Sequence, residues 1–370
     1  MNPYIDIYRD SSKIQELFKA ICKLSAKLPY PLKIMEVCGG HTHTIMKYAL
    51  PQLLPNNIEF VHGPGCPVCI MPKSRIDYAR KIAEQKDVIL VTLGDMIKVP
   101  GSHGSLQKAR AEGLNISFVY SPLDALKIAQ NNPNKKIVYF AIGFETTTPM
   151  SAALLESVIK LNLKNFFFAI NHVLVPPPLH AVLSSKDNKI NALLAPSHVS
   201  VISGAKIYTP FVEKYKIPVV VCGFEPVDVG ESLISILQQV ISNTPKVEIQ
   251  YARSVTQEGN LKAQELVERY FTLEDSFTWR GLGEIPHSSL KLKDEFASFD
   301  ALKIYKDVLE DTPKDDHKLC ICGEILKGAK KPYDCKLFKK ACNPQNPLGS
   351  CMVSSEGACA AYYKYGDFNF

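Results

Sequence analysis

Lys136-Ile137-Val138-Tyr139-Phe140-Ala141-Ile142-Gly143, followed at once by Phe144-Glu145-Thr146-Thr147-Thr148 and a helical pattern over 150–161, decides the fold class of this chain. A run that is apolar from end to end, rather than alternating, marks a strand covered on both faces, as in a parallel sheet. The same unit of short apolar run, turn and helical stretch recurs on both sides of it. Further strands are expected at 33–37, 58–62, 88–93, 116–120, 166–170, 192–195, 218–222 and 247–251. Helices are expected between them at 74–85, 106–112, 122–131 and 227–242. Alternation of this kind predicts a parallel α/β architecture.

So many strands are more than one sheet comfortably holds. The reading is therefore two Rossmann-like parallel-sheet domains with a cleft between them, plus a C-terminal cysteine-rich domain. The first spans 28–131 and carries Cys38 and the Cys66/Cys69 pair. The second spans 132–254, with the division at Asn131-Asn132-Pro133-Asn134. The third spans 255–370, to which 1–27 can also belong, with helices expected at 260–271 and 298–309. Its tail is rich in Cys, Lys, Gly and Pro, and buries too little apolar surface to fold without a metal site.

At 370 residues the chain exceeds one typical core, and its 46% apolar and 22% charged residues are ordinary for a soluble globular protein. The start Met1-Asn2-Pro3-Tyr4-Ile5-Asp6 has no basic-then-apolar leader pattern. The most apolar stretch, 166–175, is broken by Asn171 and His172 and is too short to span a bilayer. A cytoplasmic location is expected, with no membrane partner. The net charge of +6 is spread along the chain, and no nucleic-acid motif accompanies the lysines around Cys335.

Eleven cysteines are present, and most fall into two groups. In a reducing compartment such groups are metal ligands or redox thiols more often than staples. In the tail, Cys320, Cys335, Cys342 and Cys359 are separated by fourteen, six and sixteen residues. Thiolates so spaced can hold a [4Fe-4S] cluster or a zinc ion; Cys322 and Cys351 read as buried neighbours. Near the N-terminus, Cys66-Pro67-Val68-Cys69 has the length of a thioredoxin-type dithiol, and Cys38 stands in a glycine-rich turn after the preceding strand. Together they could bind a low-valent iron with coordination sites left open; alternatively, Cys38 is a core residue and only the pair reacts. The flanking Gly63, Pro64 and Gly65 suggest that the pair lines a solvent-reachable wall.

Polar motifs follow the strands where α/β folds place functional groups. They are Cys38–His43, Gly63–Cys69, Gly94-Asp95, Gly143–Thr148, Asn171-His172, Ser197-His198 and Gly223-Phe224-Glu225. Each histidine among them reads more readily as a hydrogen-bonded core residue than as a ligand. Glu145 could relay a proton or cap a helix, and the threonines after it open a helix or bind an anion. Cys22 and Cys222 stand alone and read as core residues.

Taken in order, these motifs resemble the HypD family of hydrogenase maturation factors over essentially the whole chain. The resemblance rests on Glu36–Thr42, Gly63–Cys69, Gly94-Asp95 with Val99–Ser102, Gly143–Thr147, Pro196–Val199, Cys222–Pro226 and Gly349–Cys359. One departure is Lys98, where the family pattern suggests arginine; charge is kept but planar bidentate donation is lost. The resemblance implies a scaffold and redox accessory that works with HypC to build the Fe(CN)2CO centre of [NiFe]-hydrogenases, with cyanide delivered by HypE and the hydrogenase large-subunit precursor reached through HypC. It implies Cys38, Cys66 and Cys69 as iron-site and redox cysteines, and Cys320, Cys335, Cys342 and Cys359 as [4Fe-4S] ligands. His41, Asp95, His198 and Glu356 become secondary site residues. An iron–sulfur-dependent protein disulfide reductase and a zinc-stapled α/β protein are the competing readings.

Overall fold

A computed structural model of the chain describes residues 5–309 and 317–366. The expected strands are present: β1 (Leu32–Glu36), β2 (Ile58–His62), β3 (Val88–Leu93), β4 (Ile116–Val119), β5 (Lys136–Gly143), β6 (Phe166–Val173), β7 (Ala192–Pro196), β8 (Val219–Cys222) and β9 (Val247–Ile249). Their runs are apolar because both faces are covered. In β5, Ile137, Tyr139 and Ala141 point into one core and Val138, Phe140 and Ile142 into another.

The strands form two sheets. The first is wholly parallel, in the order β9-β8-β7-β1-β2. The second runs β4-β3-β5-β6 in parallel and is extended beyond β6 by two antiparallel strands from the last third, β13 (Ser289–Leu292) and β10 (Phe271–Leu273). A separate hairpin pairs β11 (Ser276–Trp279) with β12 (Gly283–Pro286). Sheet membership does not change at the Asn131–Asn134 segment. The chain leaves the first sheet after β2, builds β3 to β6 of the second, and returns for β7 to β9. Local strand patterns carry no information about such a crossover, because either sheet buries the same apolar run.

One large core lies between the sheets, joining Met35 of β1 and Val37 just after it, Phe140 of β5 and tail residues Cys351 and Met352. A second core covers the outer face of the first sheet. There the helix Ser11–Ser25 packs Ile14, Phe18 and Ile21, spaced as one helical face, against the helix Pro226–Ser242. Asp10 caps it by accepting from the Lys13 amide at 2.8 Å. The N-terminal helix thus rests on the first sheet rather than on the cysteine-rich tail.

Most expected helices are found within a few residues of their places. The one expected at 298–309 is instead broken into Asp294–Phe299, Ala301–Ile304 and Lys306–Val308. Asp300 causes a break: its backbone is extended and its carboxylate accepts from the Leu302 amide, so it starts a new turn. No helix among the described residues is long and apolar enough to cross a membrane.

Candidate functional site

The first cysteine group sits at the carboxyl ends of β1 and β2. Cys38 does not lie in an open turn; it caps the helix Gly39–Lys47, with its sulfur accepting from the Gly40 amide at 3.3 Å. A helix N-terminus favours a thiolate. Burial opposes it more strongly, and with the Glu356 carboxylate holds the thiol well above its ordinary range. Cys38 is therefore a protonated thiol at physiological pH. The His198 ring nitrogens stand 3.8 and 3.9 Å from the sulfur, and burial pushes His198 down to about 4. It is a neutral imidazole at physiological pH.

The second cysteine loop lies against the first. A Cβ at Gly65 would run into the Val37 carbonyl and the Cys38 amide, so only glycine permits the two backbones to touch here. Cys66 and Cys69 follow, closed as a disulfide across the short helix Pro67–Ile70, and the Cys66 sulfur accepts from the Cys69 amide at 3.2 Å. The expected solvent-reachable wall is not what forms. Cys66 is 4% and Cys69 1% exposed. Later segments cover them: the Ser350 hydroxyl donates to the Cys69 carbonyl, and the Arg280 amide donates to that of Ile70 at 2.8 Å. The Pro67-Val68 side faces a cavity of about 510 Å³, also bordered by Lys98, Arg110 and Tyr120.

The tail closes over Cys38 as well. Any side chain at Gly39 would strike Glu356, so the Glu356 turn rests on the start of the Cys38 helix. His41 takes a different place from the one its motif suggests. Its Nε2 donates to the carbonyls of Cys222 and Gly223 at 3.2 and 3.0 Å, its ring lies against Phe224, and burial pushes it down to about 4. It ties the helix to β8. Phe224 also packs against His198, so the two imidazoles share one aromatic support. The side chain of Asp95 lies outside the described residues.

Glu145 is no helix cap. Its Oε1 accepts from the Val175 amide at 2.9 Å, linking the loops after β5 and β6. The carboxyl is buried, although other parts of the residue reach the surface, and burial pushes it up to about 7. His172 lies within β6, with Nε2 2.8 Å from the Ser151 hydroxyl, and His43 approaches the Tyr365 hydroxyl at 3.4 Å. Both read as structural.

The tail brings its four expected cysteines together. Cys320, Cys335, Cys342 and Cys359 line one small space with Ile325, Leu337, Phe338 and Met352, and Cys322 lines it too. Cys322, read from the sequence as a buried neighbour, is buried and lines the same space. Its sulfur is 3.4 Å from that of Cys320, and it opens the helix Cys322–Leu326. The Cys-x-Cys spacing was the available signal, but spacing cannot say which member of so close a pair faces inward. Cys351 is fully buried outside this set. The Leu348 amide donates to the Cys342 sulfur at 3.4 Å, and a Cβ at Gly349 would stand 2.6 and 2.7 Å from the Cys320 and Cys322 sulfurs. An apolar, thiol-lined cradle with amide donors and room kept by a glycine suits an iron–sulfur cluster. Hydrogen bonding with Cys322, together with burial, raises the Cys359 thiol, and burial raises that of Cys342. Among the described residues, no three Cys, His, Asp or Glu side chains are grouped to hold a single metal ion.

The family model described as "HypD: Hydrogenase formation hypA family" matches residues 12–366. A hydrogenase maturation factor HypD from Azotobacter vinelandii is 48% identical over 370 residues, covering 98% of this chain and 97% of its own. The HypD of Escherichia coli strain K12 is 44% identical over 366 residues, covering 98% of each. This chain belongs to the HypD family.

Proposed function

We propose that this member of the HypD family is a hydrogenase maturation factor that serves, with HypC, as scaffold and redox accessory for the Fe(CN)2CO centre. The observation that carries the reading is the stacking of the two cysteine loops through Gly65, with the tail's Glu356 turn laid over Cys38. In this reading Cys38 and, when reduced, Cys66 and Cys69 receive the iron that is the cargo. HypE brings cyanide as a thiocyanate, and the hydrogenase precursor is met through HypC. A cytoplasmic setting suits thiols that must be open to act.

Cys320, Cys335, Cys342 and Cys359, joined or replaced in part by Cys322, would hold a [4Fe-4S] cluster. That cluster would supply electrons to the dithiol. A single release of cyanide balances against the dithiol alone. Release of cyanide from R–S–C≡N takes two electrons and leaves R–S⁻ and CN⁻, and closing the Cys66/Cys69 dithiolate to the disulfide releases two. Reopening the disulfide takes two more, which an outside reductant would supply one at a time through a cluster held by the tail. His198 and the Gly40 amide orient the Cys38 sulfur, while the cover over Cys66 and Cys69 keeps water and stray thiols away.

The test is infrared spectroscopy of the protein isolated anaerobically with HypC. The wild-type complex is expected to show cyanide and carbonyl bands. Cys38→Ala is expected to lose them while keeping visible absorption from the tail. Bands that persist in Cys38→Ala would place the iron elsewhere.

A further inference from the structure

Glu36 and His62 are the last residues of β1 and β2, and the parallel register sets them side by side. Their side chains are 1% and 2% exposed, with His62 Nδ1 2.6 Å from Glu36 Oε1. The other carboxylate oxygen accepts from the Cys38 amide at 3.0 Å, and the Thr42 hydroxyl donates to Oε1. Beyond the imidazole, His62 Nε2 meets the Tyr362 hydroxyl at 3.2 Å, the two rings standing edge to face. Tyr362 belongs to the helix Ala358–Tyr365, one turn after Cys359.

We propose that Tyr362, His62 and Glu36 are positioning residues that tie the Cys38 backbone to the helix carrying Cys359. A buried carboxylate is costly to keep, and packing alone would be served as well by apolar side chains. This one spends its acceptors on the amide of the site cysteine, on the first turns of the Cys38 helix and on an imidazole that leads to the tail. Glu36 contacts the Cys38 amide, so its effect is on where the cysteine sits. The tail meets the same helix again at Gly39 through Glu356 and at His43 through Tyr365, so a shift of the C-terminal helix reaches Cys38 from several sides. A thiol pocket that is properly filled would then preset Cys38, and an empty or damaged one would release it. This deepens the scaffold reading, but its test needs neither iron nor HypC.

The experiment is timed alkylation of the reduced, full-length protein with N-ethylmaleimide, each cysteine followed by mass spectrometry. Tyr362→Phe keeps the ring and removes only the hydroxyl. It is expected to raise the Cys38 rate roughly tenfold, the population change set by one buried hydrogen bond. Cys222, fully buried in the first sheet, should keep its wild-type rate. Tyr333→Phe, on the same cavity wall but outside the line, should leave Cys38 unchanged. Hydrogen exchange at the amides of Cys38–Thr42 should quicken in parallel with the alkylation. An unchanged Cys38 rate in both Tyr362→Phe and His62→Gln would overturn the proposal. So would an equal rise at Cys222, which marks general loosening.

Discussion

Two groups of cysteines in this protein are held in opposite ways. Cys38, Cys66 and Cys69 stand at strand ends, fixed by parallel pairing, helix capping and apposed backbones. Cys320, Cys322, Cys335, Cys342 and Cys359 stand on short helices and turns, with little regular structure among them. The first group is placed by the fold, and any ligand arrives at a prepared site. The second lies in a segment of little regular structure that packs Ile325, Leu326 and Met352 into the core between the sheets, and in the proposed reading a bound cluster would add to that packing.

The largest effect expected from this contrast is in the tail. Cys342→Ser and Cys359→Ser should abolish the broad absorption near ~400 nm that iron–sulfur proteins show. They should also make residues after 317 the preferred site of limited proteolysis, while circular dichroism of the sheets is retained. Cys351→Ser should keep the absorption. Cys320→Ser and Cys322→Ser together decide the fourth position: whichever abolishes the absorption identifies the ligand.

The sheets should respond to packing instead. Phe140, at the centre of β5, is fully buried between the two sheets. Phe140→Ala should cost about 3–5 kcal/mol in denaturant unfolding, from lost burial and the cavity left behind. If the tail variants lower sheet stability by as much, the two regions are not independent.

The smallest effect is electrostatic. The Glu145 carboxyl is raised from 4.5 to about 7 in the folded protein. The folded state therefore holds this proton more tightly than the unfolded chain does. The stability it contributes is complete below pH 4.5 and is lost as pH rises through 7. Glu145→Gln keeps an acceptor for the Val175 amide and removes the titration. It should match wild type near pH 4 and exceed it at pH 8 by roughly 1–3 kcal/mol, the lower end reflecting the partly exposed residue. Thermal melts of both proteins across that range provide the check.

The same contrast explains what was legible in the sequence. Strands β1 to β9 could be read because apolar runs bounded by glycine and proline are local signals. The two cysteine groups were legible from residue type and spacing. Sheet membership was not, since the return of β7 to pair with β1 depends on contacts distant in sequence. Nor was the helix after Cys38, because Gly39-Gly40 reads as a turn until the sulfur is seen capping it. Strands β10 and β13 escaped because they are short edge additions carrying Thr272 and Lys291 between their apolar residues. The Glu36–His62 pair needed the register of β1 on β2, which no single strand discloses.

The excursion of the chain between the two sheets has a consequence for synthesis on the ribosome. Once β1 and β2 have emerged they can pair with each other, Ile34 beside Phe60, but the other edge of β1 must wait for Ala192–Leu194. Meanwhile β3, β4, β5 and β6 can assemble with one another as they appear. The second sheet is therefore free to form first, while the first presents an open apolar edge, the kind of surface on which nascent chains misassociate and chaperones bind. Cys38, at the end of β1, spends that interval without the strand that will bring His198, so a thiol left open during translation is buried once the chain is complete.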